Sequence, residues 1–167
     1  MSMASVVVDT NVALVANGKA GQADIRCVSK CLQELKATRN GRQLLLDDAG
    51  LILQEYLKQK PHGFPQGPGD AFLVWVYDNQ ANPIHIRVVP VTLLPGDLRG
   101  FAEFPDDPEL MGFDQDDRKF VAVALASGNA PPILNATDTD WWIYRSALVR
   151  NGVRVKLLCP HLMIDED

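Results

Sequence analysis

Only three of the 167 residues are cysteine, Cys27, Cys31 and Cys159. That is too few, and an odd number, for a disulfide framework, so the sequence predicts packed thiols in a reducing compartment. No apolar run approaches the roughly 18 residues that a membrane helix needs; one of the longest, Ala71 to Tyr77, stops at Asp78. The opening Met-Ser-Met-Ala-Ser carries neither the positive flank nor the apolar stretch of a secretion signal. No internal repeat or low-complexity segment is visible. These absences predict a soluble, cytoplasmic protein with no membrane among its partners. A uniform basic coat is missing too. The net charge is −5, with eight Lys/Arg against six Asp/Glu in residues 1–60 and eight against fifteen in residues 61–167. Any polyanion must therefore be drawn by a local basic patch or by a bound cation.

What is present points to one domain. A chain of this length buries about 68–70% of its unfolded surface, and 47% hydrophobic residues can fill a core. Residues 1–167 are expected to form a single domain with a long proline-rich segment at about 61–113. Ser5-Val6-Val7-Val8-Asp9 is an apolar β-branched run too continuous to alternate, as in a strand buried on both faces of a parallel sheet. Ile25, Val28, Leu32 and Leu35, three or four apart, predict an amphipathic helix within 22–38. Gln43 to Leu46 reads as a second buried strand, and Ala49 to Gln59 as a helix facing inward through Ile52/Tyr56 and Leu53/Leu57.

Residues 61–69 are dense in turn formers and read as a loop, after which Asp70 caps a helix to Asn79 with Phe72, Val76 and Tyr77 inward. Residues 84–94, bounded by Pro90 and Pro95, predict a short edge strand or extended connection. A helix over 114–127 carries Phe120, Val121, Ala124 and Leu125 on one face and stops at Gly128. Ile133-Leu134 is a short strand, residues 140–150 a helix, and 153–158 a closing strand after Asn151-Gly152. Strands alternating with helices imply a mostly parallel sheet covered on both faces, with ligands bound beyond the carboxyl ends of the strands.

Acids gather at that predicted edge. Asp9 ends the first strand, Asp138 follows the strand at 133–135, Glu55 sits on a helix starting at that edge, and Asp117 opens another helix. Two unit charges about 4 Å apart repel by about 4 kcal/mol at an effective dielectric near 20, so several carboxylates in one cleft call for a cation. Mg²⁺ or Mn²⁺, hard ions that take carboxylate oxygens, are the suitable occupants.

In these residues the chain resembles the PIN-domain nucleases. Val6-Val7-Val8-Asp9-Thr10-Asn11-Val12 is similar to that family's opening motif. Ile52-Leu53-Gln54-Glu55-Tyr56-Leu57 is similar to its glutamate-bearing motif, Asp117-Arg118-Lys119-Phe120-Val121-Ala122-Val123-Ala124 to the third, and Leu134-Asn135-Ala136-Thr137-Asp138-Thr139-Asp140-Trp141 to the last. The four run in the family's order from position 6 to 141. The resemblance implies a three-layer α/β/α sandwich and a divalent-metal endoribonuclease using one or two Mg²⁺ or Mn²⁺ ions. In many bacterial relatives it also implies a toxin paired with a small antitoxin.

On that reading Asp9, Glu55, Asp117 and Asp138 hold metal and carry catalysis, while Asn11 and Thr137 orient them and Asp140 joins an outer ring. Asp114 and Asp116 compete for the third position; Asp117 is preferred because Val121 and Ala124 follow on its own helical face. Arg118, Lys119 and Arg145 would contact flanking RNA phosphates, positioning without reading sequence. The expected partners are RNA, an antitoxin protein and a second copy of the chain.

Blander readings stand beside these. Asp9 and Asn11 could be a turn and cap, Asp117 a helix-start charge, and the basic residues a solvated face. Cys27, Cys31 and Cys159-Pro160-His161 fit no usual zinc spacing. One of Trp141 and Trp142 should pack inward. The acidic run 106–109 is most simply a solvated loop. The alternative functions are a non-catalytic RNA- or protein-binding module on the same fold and an aspartate-nucleophile phosphatase. The latter wants an acid two residues after Asp9, where Asn11 stands.

Overall fold

The computed structural model describes residues 3–60 and 63–163. Strands β1 (Ala4–Val8), β2 (Arg42–Asp47), β3 (Ile86–Val89), β4 (Pro132–Asn135) and β5 (Arg154–Leu157) form one sheet in the order β3-β2-β1-β4-β5. Every pairing is parallel, with Val6 opposite Leu44, Val8 opposite Leu134, Leu44 opposite Ile86 and Ile133 opposite Val155. The continuous apolar runs have the burial expected of strands covered on both faces: Val6, Val7, Val8, Leu44, Leu45, Ile133 and Leu134 are all buried. β3 is an edge strand, as Pro90 requires.

Helices α1 (Thr10–Ala16), α2 (Ile25–Gly41) and α4 (Pro68–Asn79) pack on one another, α5 (Arg118–Ala126) lies over β1, β2 and β4, and α7 (Arg145–Arg150) lies against β5. With α3 (Leu51–Gln59) and α6 (Thr139–Ile143) they complete a three-layer α/β/α sandwich. The proline-rich segment is woven into these layers, since α4 packs on α1, α2 and α3 and β3 pairs with β2. The α1–α4 approach needs a glycine: a Cβ at Gly69 would collide with the carbonyl oxygen of Ala13.

Several elements differ from the sequence expectation. The sequence reading placed no helix directly after Asp9, yet α1 begins there, with Asp9 as its cap and Val12, Val15 and Ala16 buried. In α2 the buried face is Cys27, Cys31, Glu34, Leu35 and Thr38, so Ile25 is 87% exposed and Val28 and Leu32 lie at the margin of the core. Helix α4 starts at Pro68, a favoured first position, inside the stretch read as loop, of which residues 61 and 62 lie outside the described residues. It buries Phe72, Leu73 and Val76 and leaves Tyr77 exposed. The helix expected over 140–150 is two helices, broken at Tyr144, whose ring meets Phe113 edge-on at 5.7 Å between centroids.

Two expectations about side chains are overturned. Cys27 and Cys159 are joined by a disulfide across 132 residues of sequence, tying α2 to the segment after β5, and only Cys31 is a free, buried thiol. Spacing could not reveal the pairing, because it depends on β5 and the start of α2 meeting at one end of the sheet. Arg118, read as a phosphate contact, is only 4% exposed. Its guanidinium donates to the carbonyls of Leu98 at 2.7 Å, Phe113 at 2.9 Å and Met111 at 3.0 Å and stacks over Phe104 at 4.7 Å.

That guanidinium therefore pins the irregular 98–113 segment to α5. Arg118→Met keeps the side chain's length but leaves these carbonyls without a donor, each costing about 1–3 kcal/mol. Urea unfolding should show a loss of about 3 kcal/mol or more; an unchanged midpoint would remove this role. The acidic run nearby is no bare solvated loop, because Arg150 donates to Asp107 at 2.7 Å and Glu109 at 2.9 Å. Among the described residues, no helix is long and apolar enough to cross a membrane.

Candidate metal centre

Strand order reverses between β1 and β4, since β1 pairs with β2 on one side and with β4 on the other. In open parallel sheets the crevice beyond the carboxyl ends at such a switch is where ligands lodge. Asp9 leaves β1 at that crevice and Asp138 follows β4. Asp117 reaches it from a short 3-10 turn, Gln115–Asp117, that leads into α5. The carboxylates of Asp9, Asp117 and Asp138 each offer an oxygen within 4.8 Å of the other two.

Local structure fixes two of these acids. Asp9 caps α1, accepting from the Asn11 backbone N–H at 3.0 Å, and its other oxygen accepts from the Trp141 indole N–H at 3.0 Å. Asp138 caps α6, accepting from the Asp140 backbone N–H at 3.0 Å. The cap reading and the site reading thus hold together, because each carboxylate keeps capacity for a further partner. Asp117 is different: it is 8% exposed and, among the described residues, its buried Oδ2 has no hydrogen-bond partner. Asp114, its competitor, caps its own turn through the Asp116 N–H, and both Asp114 and Asp116 are exposed.

The electrostatics follow from this crowding. Burial pushes the Asp9 carboxyl well above the usual range, with the charges of Asp138 and Glu55 adding and the Asn11 N–H and Trp141 indole opposing. Burial likewise raises Asp117 strongly, reinforced by Asp9, Asp138 and Asp114. Asp140 is raised by burial and by Asp138 and Asp114, while the Asp114 N–H it accepts at 3.0 Å pulls the other way. Without a counter-cation Asp9 and Asp117 keep their protons to higher pH than isolated carboxyls do.

Glu55 stands beside the triad but is engaged. One oxygen accepts from the Lys119 ammonium at 2.8 Å and the other from the Thr10 hydroxyl. Lys119 also donates to the Asp116 carbonyl, which holds its ammonium at the site. A cavity of about 320 Å³ bounded by Gln54, Glu55, Lys58, Asp116 and Lys119 opens alongside. Arg145 is exposed, its guanidinium 3.7 Å over the Trp142 ring.

The expected orienting residues are only partly in place. The Asn11 amide touches none of the carboxylates. It donates to Asn135 Oδ1 at 2.7 Å and accepts from the Ala136 N–H at 2.9 Å, while Asn135 donates to the Asp138 carbonyl at 3.1 Å. Asn11 therefore ties the end of β1 to the end of β4 and places Asp138 through the backbone. Thr137 is half-buried, and among the described residues its hydroxyl bonds to no site carboxylate. Asp140 reaches the site through its backbone N–H to Asp138.

Sequence reasoning missed Trp141, Thr10, Tyr56 and Asn135. Tyr56, fully buried on α3, donates to the Val8 carbonyl next to Asp9. The available signal was general: a buried indole or phenol needs a partner, although the sequence does not say which. Trp141→Phe keeps an aromatic ring at this position and removes the donor, so Asp9 should bind its proton about tenfold more tightly. Carboxyl-carbon NMR titration would read this, and an unchanged Asp9 titration would mean that the indole bond contributes nothing.

No protein-family model matches the chain, and comparison with curated proteins and with solved structures finds no match either.

Proposed function

We propose that this chain is a divalent-metal-dependent endoribonuclease of PIN-like design. The observation that carries the reading is the meeting of three carboxylates from distant parts of the chain, one with an orphaned buried oxygen. Such a donor set fits Mg²⁺ or Mn²⁺, because both take hard carboxylate oxygens and their charge offsets the burial and the neighbouring negative charge that raise Asp9 and Asp117. Asp9, Asp117 and Asp138 would hold the ion, while Glu55 is paired with Lys119 and Thr10.

Bound there, a divalent cation supplies charge neutralisation at a phosphodiester and a lowered pKa for water. The chain's own groups do the rest. Trp141 and the Asn11 N–H hold the Asp9 oxygens in place. The Asp140 N–H and the Asn11–Asn135 link hold Asp138. The Lys119 ammonium, paired with Glu55 beside the cavity that Lys58 also borders, would bind a flanking phosphate on leaving that pair. With Arg118 committed to the core, that task falls to Lys119 and Lys58.

One observation favours the second reading, a non-catalytic binding module: Lys119 already neutralises one of the four acids. The phosphatase reading loses ground, since the Asn11 side chain is tied to Asn135 and Ala136 and offers no acid at the second position after Asp9. The test is incubation of the purified protein with RNA in Mg²⁺ or Mn²⁺ and in EDTA. Cleavage abolished by EDTA supports the nuclease, and intact RNA in both conditions leaves the binding module.

A further inference from the structure

The opposite edge of the sheet carries a second concave site. Where β1, β2, β4 and β5 begin, a pocket of about 560 Å³ is bounded by Ser5, Glu34, Arg42, Asn129, Arg154 and Lys156. Its volume falls within the roughly 300–1,000 Å³ range of small-molecule sites. Three of these side chains are cations and one is an anion, a local excess of two positive charges on a chain whose net charge is −5.

The pocket is built. Glu34 is only 5% exposed and is gripped by Arg42 at 2.6 Å and Lys156 at 2.8 Å, with Lys30 at 3.5 Å. Burial would raise its carboxyl, but the Lys156 and Arg42 contacts outweigh that and hold it down at about 2. The carboxylate is therefore ionised at neutral pH and fixes Arg42 and Lys156 at the pocket wall. One carboxylate cannot neutralise three cations. Among the described residues Arg154 has no carboxylate partner; its guanidinium donates at 3.3 Å to the carbonyl of Ala130. Ala130 has φ +44°, the one non-glycine residue with positive φ among the described residues. A non-glycine residue held there costs about 1–3 kcal/mol, and such positions cluster at ligand clamps. The loop carrying Asn129 and Pro131 is thus held in a costly conformation at the rim of the basic pocket.

We propose that this pocket is a binding site for phosphate-bearing anions, with Arg154, Arg42 and Lys156 as the recognising groups. Guanidinium forks match phosphate oxygens in pairs, and an ammonium adds a compact charge. The lining has no aromatic ring to stack a base, so the phosphate is the recognised part. It is carried either by a free phosphorylated small molecule or by the backbone of an RNA. The site lies at the far end of the strands from the Asp9 cluster, and its binding does not depend on the nuclease reading.

The test is titration calorimetry in EDTA, which keeps metal from the acids, with pyrophosphate, adenosine 5′-monophosphate and a ten-nucleotide single-stranded RNA as probes. Arg154→Glu is the first variant, because Arg154 is exposed and, among the described residues, its side chain bonds the Ala130 carbonyl alone. Lys156→Met is the second, and thermal melting checks that each is folded. We expect at least one probe to bind and each variant to weaken it about tenfold or more, as loss of a charge-assisted contact implies. Binding of the small anions alone assigns a free ligand; binding of RNA alone assigns the backbone of a nucleic acid. No binding of any probe, or binding that both folded variants leave unchanged, overturns the site.

Discussion

RNA supplied with the purified protein and Mg²⁺ or Mn²⁺ should be cut, and Asp117→Asn should lower the rate by more than about 100-fold. Replacing groups that merely orient metal ligands costs about 10–100-fold, so loss of a ligand should exceed that range. Asp117 is the informative choice because its Oδ2 has no partner to lose, whereas changing Asp9 or Asp138 also removes a helix cap. Asp114→Asn and Asp116→Asn, at exposed neighbouring positions, should leave the rate within a few-fold of the parent. An Asp117→Asn protein that cuts RNA at the parental rate would end the nuclease proposal. Loss of cutting in Asp114→Asn alone would move the third acid.

The second large effect concerns stability. Saturating the site with Mg²⁺ or Mn²⁺ to about 100 times the dissociation constant adds about 2.7 kcal/mol. That should raise the melting temperature by about 5–10 °C for a chain of this size. The sign of the pH dependence in EDTA follows from the raised carboxyls of Asp9 and Asp117. In the unfolded chain both groups lose their protons near the ordinary value of 3.8. Folding keeps the protons on, so their stabilising contribution is complete below that value and is lost as pH rises through the folded-state values.

The metal-free parent therefore carries a penalty at pH 7 that Asp117→Asn lacks. The variant should melt above the parent in EDTA at pH 7, with the gap closing toward pH 4, and it should lose the metal-induced shift. A parent insensitive to both ions, or a variant less stable than the parent in EDTA at pH 7, would show that the acids are tolerated without a cation.

Much of this architecture was legible in local pattern. Val6 to Val8 and Leu44 to Leu46 read as strands because unbroken apolar runs suit only a position covered on both faces. Phe120, Val121 and Ala124 read as the buried face of α5 because they share one side of a 3.6-residue period, and Asp117 shares it. Pattern failed where two signals overlapped. The residues after Asp9 look like the continuation of a motif, and the cap that starts α1 is the same aspartate read as a site residue. In α2 the obvious apolar positions began at Ile25, but the small thiols Cys27 and Cys31 and the paired Glu34 occupy the inner face. The thiols were expected to pack, but their place on the inner face of this helix was not read, and a carboxylate is a poor indicator of burial until the cations that make burial tolerable are known.

The sequence by itself determined the alternation of strands and helices, the parallel sheet it implies, and the placing of acids where strands end, because these depend on periodicity and capping within a few residues. Tertiary structure alone decided that residues 9, 117 and 138 share one crevice while Lys119 occupies Glu55. It also decided that Arg118 serves the core, that Cys27 finds Cys159, and that Arg42, Arg154 and Lys156 line one pocket. The physical reason is that charge, thiol and hydrogen-bond partners are chosen by distance in space. That distance follows from strand order and helix packing, which no local stretch of sequence encodes.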